Sequence, residues 1–279
     1  MRFDFHKYKS FLECPRKYKW RDERRPLITP KNHYFTVPGE FIQKFFEMYS
    51  NSWKDQGVVF TKAKVIDRMR PYWEHLLLKN MIDWSHPAST KGEAELFLES
   101  VDAIIRNLKL LDVYKDTRSE VKFEISLKSG DVLVGKVDFI HRTDKGIIIS
   151  DGKNSGTKGK NVDPSQLIFY ALLYKFTYGE LPAGLKFIYY KFAEEEDVVF
   201  TTRDVDDLWS SFIRTMNLIK NTKEFLPTPC AKSCRYCDYL EQCPEGTVDM
   251  ESRKRGPRNT KIEGLGSKSE ETGVYTINL

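Results

Sequence analysis

Apolar residues recur near helical spacing through residues 61–113, where Leu96, Val101, Ile104, Ile105 and Leu108 mark one face. This pattern predicts two or three helices. After residue 113 the period changes. Val121–Leu127, Val132–His141 and Ile147–Asp151 are short and β-branched, separated by Ser129-Gly130 and by Thr143-Asp144-Lys145-Gly146. Such spacing predicts a three-stranded meander.

On either side the same logic continues. Residues 5–25 form a helical entry segment, residues 26–37 with Pro26 and Pro30 a loop, and Pro38-Gly39 opens an apolar-rich helix from Glu40 to about Ser50. Asp163-Pro164 starts a further helix, with Asp163 as N-cap, Pro164 in the first turn and Gly179 as the stop. Leu185–Phe192 and Asp197–Thr202 read as two more strands, and Asp204 as the cap of a helix ending near Lys220. From about Glu245 the chain is polar and poor in large apolar residues, which predicts a disordered tail over 245–279.

Composition adds bounds. At 279 residues, 40% hydrophobic and 30% charged, the chain can bury a large core. No stretch approaches the ~20 apolar residues of a membrane span. The start, Met-Arg-Phe-Asp-Phe-His-Lys, carries no apolar h-region, so no secretory signal is expected. Five cysteines without an export signal point to a reducing, cytoplasmic setting and to metal ligation rather than disulfides. The net charge of +5 is a mild excess. Arg16, Lys17, Lys19, Arg21, Arg24 and Arg25 are interleaved with Tyr18 and Trp20, a mixture that suits a nucleic-acid strand but taken alone more often marks a solvated helix face. His6, His33, His75, His86 and His141 show no ligand spacing.

The meander carries the candidate chemistry. If its second turn centres between Asp144 and Lys145, partner numbers sum to 289 and Asp138 faces Asp151. Opposed residues have Cβ atoms about 4.5–5.5 Å apart, so two like charges there repel unless a divalent cation lies between them. Asp151 and Lys153, two apart on one strand, project to one face, where an ammonium can orient a water and offset developing charge. The bland alternative is a polar hairpin end at Asp151-Gly152. Gln166 and Tyr170, four apart, share a face of the Pro164 helix, whose Leu167, Ile168, Ala171 and Leu172 can pack on the sheet.

Cysteines bracket this region. Cys14 lies in Cys-Pro-Arg-Lys-Tyr, and Cys234, Cys237 and Cys243 form Cys-x2-Cys-x5-Cys. Four thiolates converging on one metal centre would join the two ends of the chain. Cys230 leaves an alternative open, a zinc site of Cys230, Cys234, Cys237 and Cys243 with Cys14 as a buried helix residue.

In order along the chain, Cys14-Pro15-Arg16, Gly135-x2-Asp138, Asp151-Gly152-Lys153, Gln166-x3-Tyr170 and the C-terminal cysteines resemble a RecB-like PD-(D/E)xK nuclease. The type is the iron–sulfur one found in AddB-like helicase–nucleases and CRISPR adaptation exonucleases. The resemblance covers roughly residues 5–245. It implies a restriction-endonuclease-like α/β fold: a mixed central sheet flanked by helices, an N-terminal helical layer and a cysteine-rich C-terminal cap. Residues 1–244 would form this single domain, ahead of the 245–279 tail.

The resemblance also implies roles. Asp138, Asp151 and the Gly152 carbonyl would hold Mg²⁺ or Mn²⁺, Lys153 would position the attacking water, and Gln166 and Tyr170 would steady the strand. Cys14, Cys234, Cys237 and Cys243 would hold a structural [4Fe–4S] cluster, with Cys230 set aside. The implied activity is metal-dependent DNA cleavage, exonucleolytic on single-stranded or frayed ends, in a bacterial, archaeal or phage-infected cell. The chain has no Gly-x4-Gly-Lys-Ser/Thr loop, so any helicase would be a partner, in recombination or CRISPR adaptation.

One departure stands out. Gly39-Glu40-Phe41-Ile42-Gln43 places Gln43 where such nucleases carry a metal-binding histidine. Gln43 is either a weak oxygen ligand or half of an ordinary polar pair with Glu47, and it motivates a rival reading: a catalytically weak or inactive DNA-end-binding subunit on a nuclease fold. Glu120 and Glu124 are further carboxylates, both expected at the surface. A zinc-stabilised interaction module leaves the Asp138–Asp151 pair unexplained.

Overall fold

The Thr143–Gly146 turn sets the register of the sheet. In this computed structural model, β3 (Val132–Thr143) and β4 (Gly146–Lys153) pair antiparallel, from Thr143 with Gly146 to Phe139 with Ser150, every pair summing to 289. The structure describes residues 1–23, 36–80, 91–112, 114, 116–156, 158, 162–235 and 237–254. Arg24, Arg25, most of the expected 26–37 loop, His33, His86 and the expected tail beyond 254 lie outside them.

β2 (Asp116–Ser126) pairs antiparallel along one edge of β3. On the other edge, a short β1 (Arg2–Phe3), which the pattern did not predict, lies parallel to Val132–Leu133. β1 and β4 therefore share one edge of β3 at its opposite ends. β4 continues past that ladder beside β5 (Gly184–Tyr189), parallel through the pair Lys153 and Tyr189. β6 (Glu194–Val198) pairs antiparallel with β5 and completes a six-stranded mixed sheet. The last two strands end and begin earlier than the apolar runs suggest. A tight turn is the reason: the Phe192 N–H reaches the Tyr189 carbonyl at 3.1 Å and Ala193 adopts φ 51°.

Helices cover both faces. The expected entry helix is two, α1 (Phe5–Glu13) and α2 (Pro15–Glu23), because Cys14 precedes a proline and is extended at φ −162°. Next come α3 (Val37–Met48), a π-helical turn Tyr49–Trp53, α4 (Lys62–Asn80) and α5 (Glu93–Leu111). After the sheet's fourth strand stands α6 (Ser165–Tyr178), whose first free N–H, at Ser165, donates to Asp163 Oδ1 at 2.9 Å. α7 (Thr202–Asn221) is capped by Thr201 rather than Asp204. Asp204 sits at the third helical position, and its carboxylate accepts the Thr201 N–H at 2.7 Å while Thr201 Oγ1 accepts the Asp204 N–H, a capping box.

The chain closes with α8 (Ala231–Cys234), a 3₁₀ turn Leu240–Gln242 and α9 (Pro244–Lys254). α9 occupies the start of the expected tail. Contacts explain it, since Arg16 pairs with Glu245 at 2.6 Å and Gly246 packs against Cys243 and Cys234. No helix among the described residues is long and apolar enough to cross a membrane.

The N-terminal helices divide between the two faces. Phe3, Tyr8, Phe169, Leu173 and Phe212 join α1, α2, α6 and α7 on one side of the sheet. Phe41, Phe46, Trp73, Phe97, Phe139 and Tyr190 fill the other, under α3, α4 and α5. Gly135 lets α6 approach the sheet, since a Cβ there would overlap Leu173 and come within 3.1 Å of Phe169.

Candidate active site

The sheet forks at its centre. Beyond the pair Phe139–Ser150, β4 leaves β3 and stays with β5, pairing Asp151 with Phe187 and Gly152 with Ile188. Asp138 and Asp151, the next pair in register, stand in the opening. There the Gly152 N–H donates to Asp138 Oδ2 at 3.0 Å instead of to a strand carbonyl. Asp151 is only 1% exposed, and its Oδ2 has no hydrogen-bond partner apart from the Lys153 ammonium, 2.5 Å away.

Electrostatics follow from this crowding. Burial, then the neighbouring Asp151 charge, pushes the Asp138 carboxyl up to about 8, against the pull of the Gly152 N–H. Burial likewise raises Asp151, opposed by Lys153. Two buried carboxyls that resist ionising side by side suit a divalent cation, which would reverse the repulsion.

Helix α6 supplies the rest of the expected group. Lys153 Nζ donates to Gln166 Oε1 at 3.2 Å, and Gln166 Nε2 donates to the Tyr170 hydroxyl at 2.8 Å. The Gln166 amide thus bridges Lys153 and Tyr170, and Lys153 is held between Asp151 and Gln166. Burial and then the charges of Asp138 and Asp151 raise the Tyr170 phenol far above its ordinary range, so it stays protonated. Asp138, Gln166 and Tyr170 open into a cleft of about 480 Å³ also lined by Gly135, Lys136 and His6.

Glu120 corrects the expectation of a surface position; Glu124 fits it, exposed and paired with Arg2 at 2.8 Å. The pairs Ser119–Phe139 and Val121–Val137 put Glu120 across from Asp138. It adopts φ 56°, a left-handed conformation that costs a side-chain-bearing residue about 1–3 kcal/mol. The alternation of β2 reverses there: Ser119 bonds Ser50 and the Phe46 carbonyl on the α3 side, while Val121 and Phe123 pack on the α6 side. Register arithmetic from the Ser129-Gly130 turn would have missed this residue: a centre between those two gives pairs summing to 259 and sets Glu120 opposite Phe139, whereas the hairpin centres on Ser129 and its pairs sum to 258.

Gln43 is not the outward-facing partner of Glu47, which pairs instead with Lys44 at 2.8 Å. Its Nε2 donates to Glu120 Oε1 at 3.0 Å, and its Oε1 accepts from the Tyr190 hydroxyl. No pattern in the sequence marked Tyr190, which lies inside an apolar run. His141 is fully buried on the α3 side, stacked on Tyr114 at 4.0 Å, away from the carboxylates.

A second place gathers thiols. Cys14, Cys234, Cys237 and Cys243 line one small pocket with Trp20, Tyr239 and Gly246. Cys230 is turned to Ser233, accepting its N–H at 3.4 Å. Among the described residues, no three His, Cys, Asp or Glu side chains are gathered as a ready-made metal site, here or at the fork. The basic stretch is drawn into this region: Tyr18 is core, Trp20 packs on Tyr239 at 5.6 Å, and Lys17 and Lys19 pair with Glu13 and Glu23. Its aromatic rings are therefore not laid out as a strand-binding platform.

The family model described as the PD-(D/E)XK nuclease superfamily matches residues 3–244. Among solved structures, one titled "Crystal structure of SSO0001" is similar at 17% identity and a TM-score of 0.35, covering 82% of this chain and 94% of the other. No curated protein matches the chain.

Proposed function

Because the chain belongs to the PD-(D/E)XK nuclease superfamily, a group of metal-dependent nucleases, we propose that it hydrolyses DNA phosphodiesters at single-stranded or frayed ends, as an exonuclease. The observation that carries this reading is the fork, where Asp138, Asp151 and Lys153 meet Gln166 and Tyr170.

Asp138, Asp151 and the Gly152 carbonyl are the groups to hold Mg²⁺ or Mn²⁺, hard cations that take carboxylate and carbonyl oxygens. The bound ion supplies Lewis-acid stabilisation of the phosphate. Lys153, fixed between Asp151 and Gln166, orients the attacking water and offsets charge as the water oxygen bonds to phosphorus and the ester P–O bond breaks. Gln166 and Tyr170 keep that ammonium in place and border the cleft through which a strand can enter. A separate motor protein would supply any unwinding.

The thiol pocket supports a structural [4Fe–4S] cluster on Cys14, Cys234, Cys237 and Cys243. The pocket includes Cys14 and leaves out Cys230, which favours this set over a C-terminal zinc site. Its role is a clasp joining α2 to the segment before α9.

Anaerobic purification, an optical spectrum and digestion of end-labelled single- and double-stranded DNA with Mg²⁺ or Mn²⁺ test both parts. Expected are a brown protein and progressive shortening from an end. Absence of cleavage with either ion favours the inactive end-binding subunit, and a colourless protein with stoichiometric zinc removes the cluster.

A further inference from the structure

Both ends of the Gln43 amide are occupied. Its NH₂ faces Glu120 and its oxygen faces the Tyr190 hydroxyl. Chemistry permits only this orientation, because a carboxylate offers no hydrogen to an amide oxygen, whereas a phenol does.

Tyr190 is seated so that its hydroxyl is aimed. Its N–H donates to the Lys153 carbonyl at 3.0 Å, its carbonyl accepts from Asn107 Nδ2 at 2.8 Å, and its ring stacks on Phe46 at 5.8 Å. The hydroxyl fills the space where a side chain at position 152 would begin: a Cβ on Gly152 would overlap it. Gln43 and Gly152 are therefore two halves of one arrangement. The glutamine needs a donor, and that donor fits only beside a glycine.

What the arrangement holds is Glu120. The left-handed backbone there is strained, and the residue before it is tied to the π-helical turn by the Ser50–Ser119 bond at 2.6 Å. Lys136 pairs with Glu120 Oε2, and Gln43 takes Oε1. Resting on the nuclease reading above, we propose that Gln43 and Tyr190 are positioning residues, a hydroxyl–amide clamp. The clamp keeps Glu120 facing the Asp138–Asp151 pair and so strengthens divalent-cation binding there. Gln43 itself is not a ligand, since both ends of its amide are taken; it acts through Glu120.

Mn²⁺ titration of the full chain without DNA, followed by electron paramagnetic resonance, separates this from the nuclease reading. Gln43→Leu keeps the approximate volume and removes both hydrogen bonds; it should weaken Mn²⁺ binding about tenfold, the usual scale for losing an outer-shell partner. Tyr190→Phe removes one oxygen, keeps the packed ring, and should weaken binding in the same direction. Because the two act through one clamp, the double variant should bind no more weakly than Gln43→Leu alone. Tyr190→Phe decides the matter if Gln43→Leu does not fold. Mn²⁺ affinity in folded variants equal to wild type overturns the clamp alone. A wild-type chain that binds no Mn²⁺ overturns the nuclease reading, and the clamp with it.

Discussion

The Gly152 N–H and the Asp138 carboxylate meet at 3.0 Å where β4 parts from β3. A strand N–H normally finds a carbonyl on its neighbour, and here it finds a catalytic candidate instead. The divergence that opens the sheet thus also supplies the donor that partly offsets burying a carboxylate. One hydrogen bond does not offset all of it, because Asp151 stands next in register and is almost wholly buried. The fork is stable enough to form and poor in stability until something positive enters it.

That imbalance predicts a pH dependence. The Asp138 carboxyl is raised to about 8 by burial and by Asp151, well above its value in an unfolded chain. Between about pH 4 and 8 the folded state therefore holds a proton that the unfolded state has lost, and stability falls as pH rises through this window. Melting curves of metal-free protein should show this fall, and Asp138→Asn should flatten it. Added Mn²⁺ should stabilise wild type more at pH 8 than at pH 5. Parallel curves for the two proteins would show that the pair is not strained.

Activity and stability should move in opposite directions at the same residue. Asp138→Asn removes a buried charge and its repulsion with Asp151, so the metal-free variant should melt higher at pH 8 while losing cleavage. Lys153→Met should also lose cleavage, by at least about a hundredfold as for other transition-state charge stabilisers. Asp151, deprived of its ammonium, should then make the protein less stable. Opposite signs in the melting temperatures, with cleavage lost in both, separate a functional pair from a structural one. Full activity in both variants ends the site assignment.

Much of this was legible because hairpin arithmetic is rigid. The Thr143–Gly146 turn alone set Asp138 opposite Asp151, and α6 presented Gln166 and Tyr170 on one face as its period required. Glu120 was missed because its φ of 56° reverses the alternation of β2, and a period-two pattern carries no sign of a reversal. The fork was also missed. Whether β4 stays with β3 or follows β5 depends on long-range pairing that no local pattern encodes. Tyr190 was invisible for a third reason: an apolar run does not show which ring has a hydroxyl that matters.

Close packing of α6 on the sheet gives a test away from the chemistry. A methyl at position 135 would overlap Leu173 and press on Phe169. Both are buried core residues, so neither can swing into solvent. Gly135→Ala should therefore destabilise by about 1–3 kcal/mol, the usual cost of overpacking. Because α6 carries Gln166, cleavage should fall as well. Gly135→Ala with Leu173→Val should recover part of the stability, as denaturant unfolding can measure. No recovery would mean that the backbone, not Leu173, is what resists the methyl.

His141 predicts the acid limb of the stability curve. It is fully buried between Tyr114 and Phe139, its Nδ1 lies 3.0 Å from Thr117 Oγ1, and its Nε2 has no partner. A proton on Nδ1 can donate to Thr117 and leaves Nε2 as an unpaired acceptor, so the neutral ring fits the site. Burial, then Lys186 and Lys54, lowers its pKa to about 3. The unfolded chain takes up a proton near pH 6.5 that the folded chain refuses, so the stability this residue contributes is lost as pH falls from about 6.5 to about 3. His141→Phe keeps a ring in the stack and removes the titration. It should lose about 1 kcal/mol at neutral pH through the missing Thr117 hydrogen bond. Below pH 6 the variant should lose less stability than wild type with each unit of acid. Melting curves at pH 7, 5.5 and 4 decide it, and curves that stay a constant distance apart would place the titrating group elsewhere.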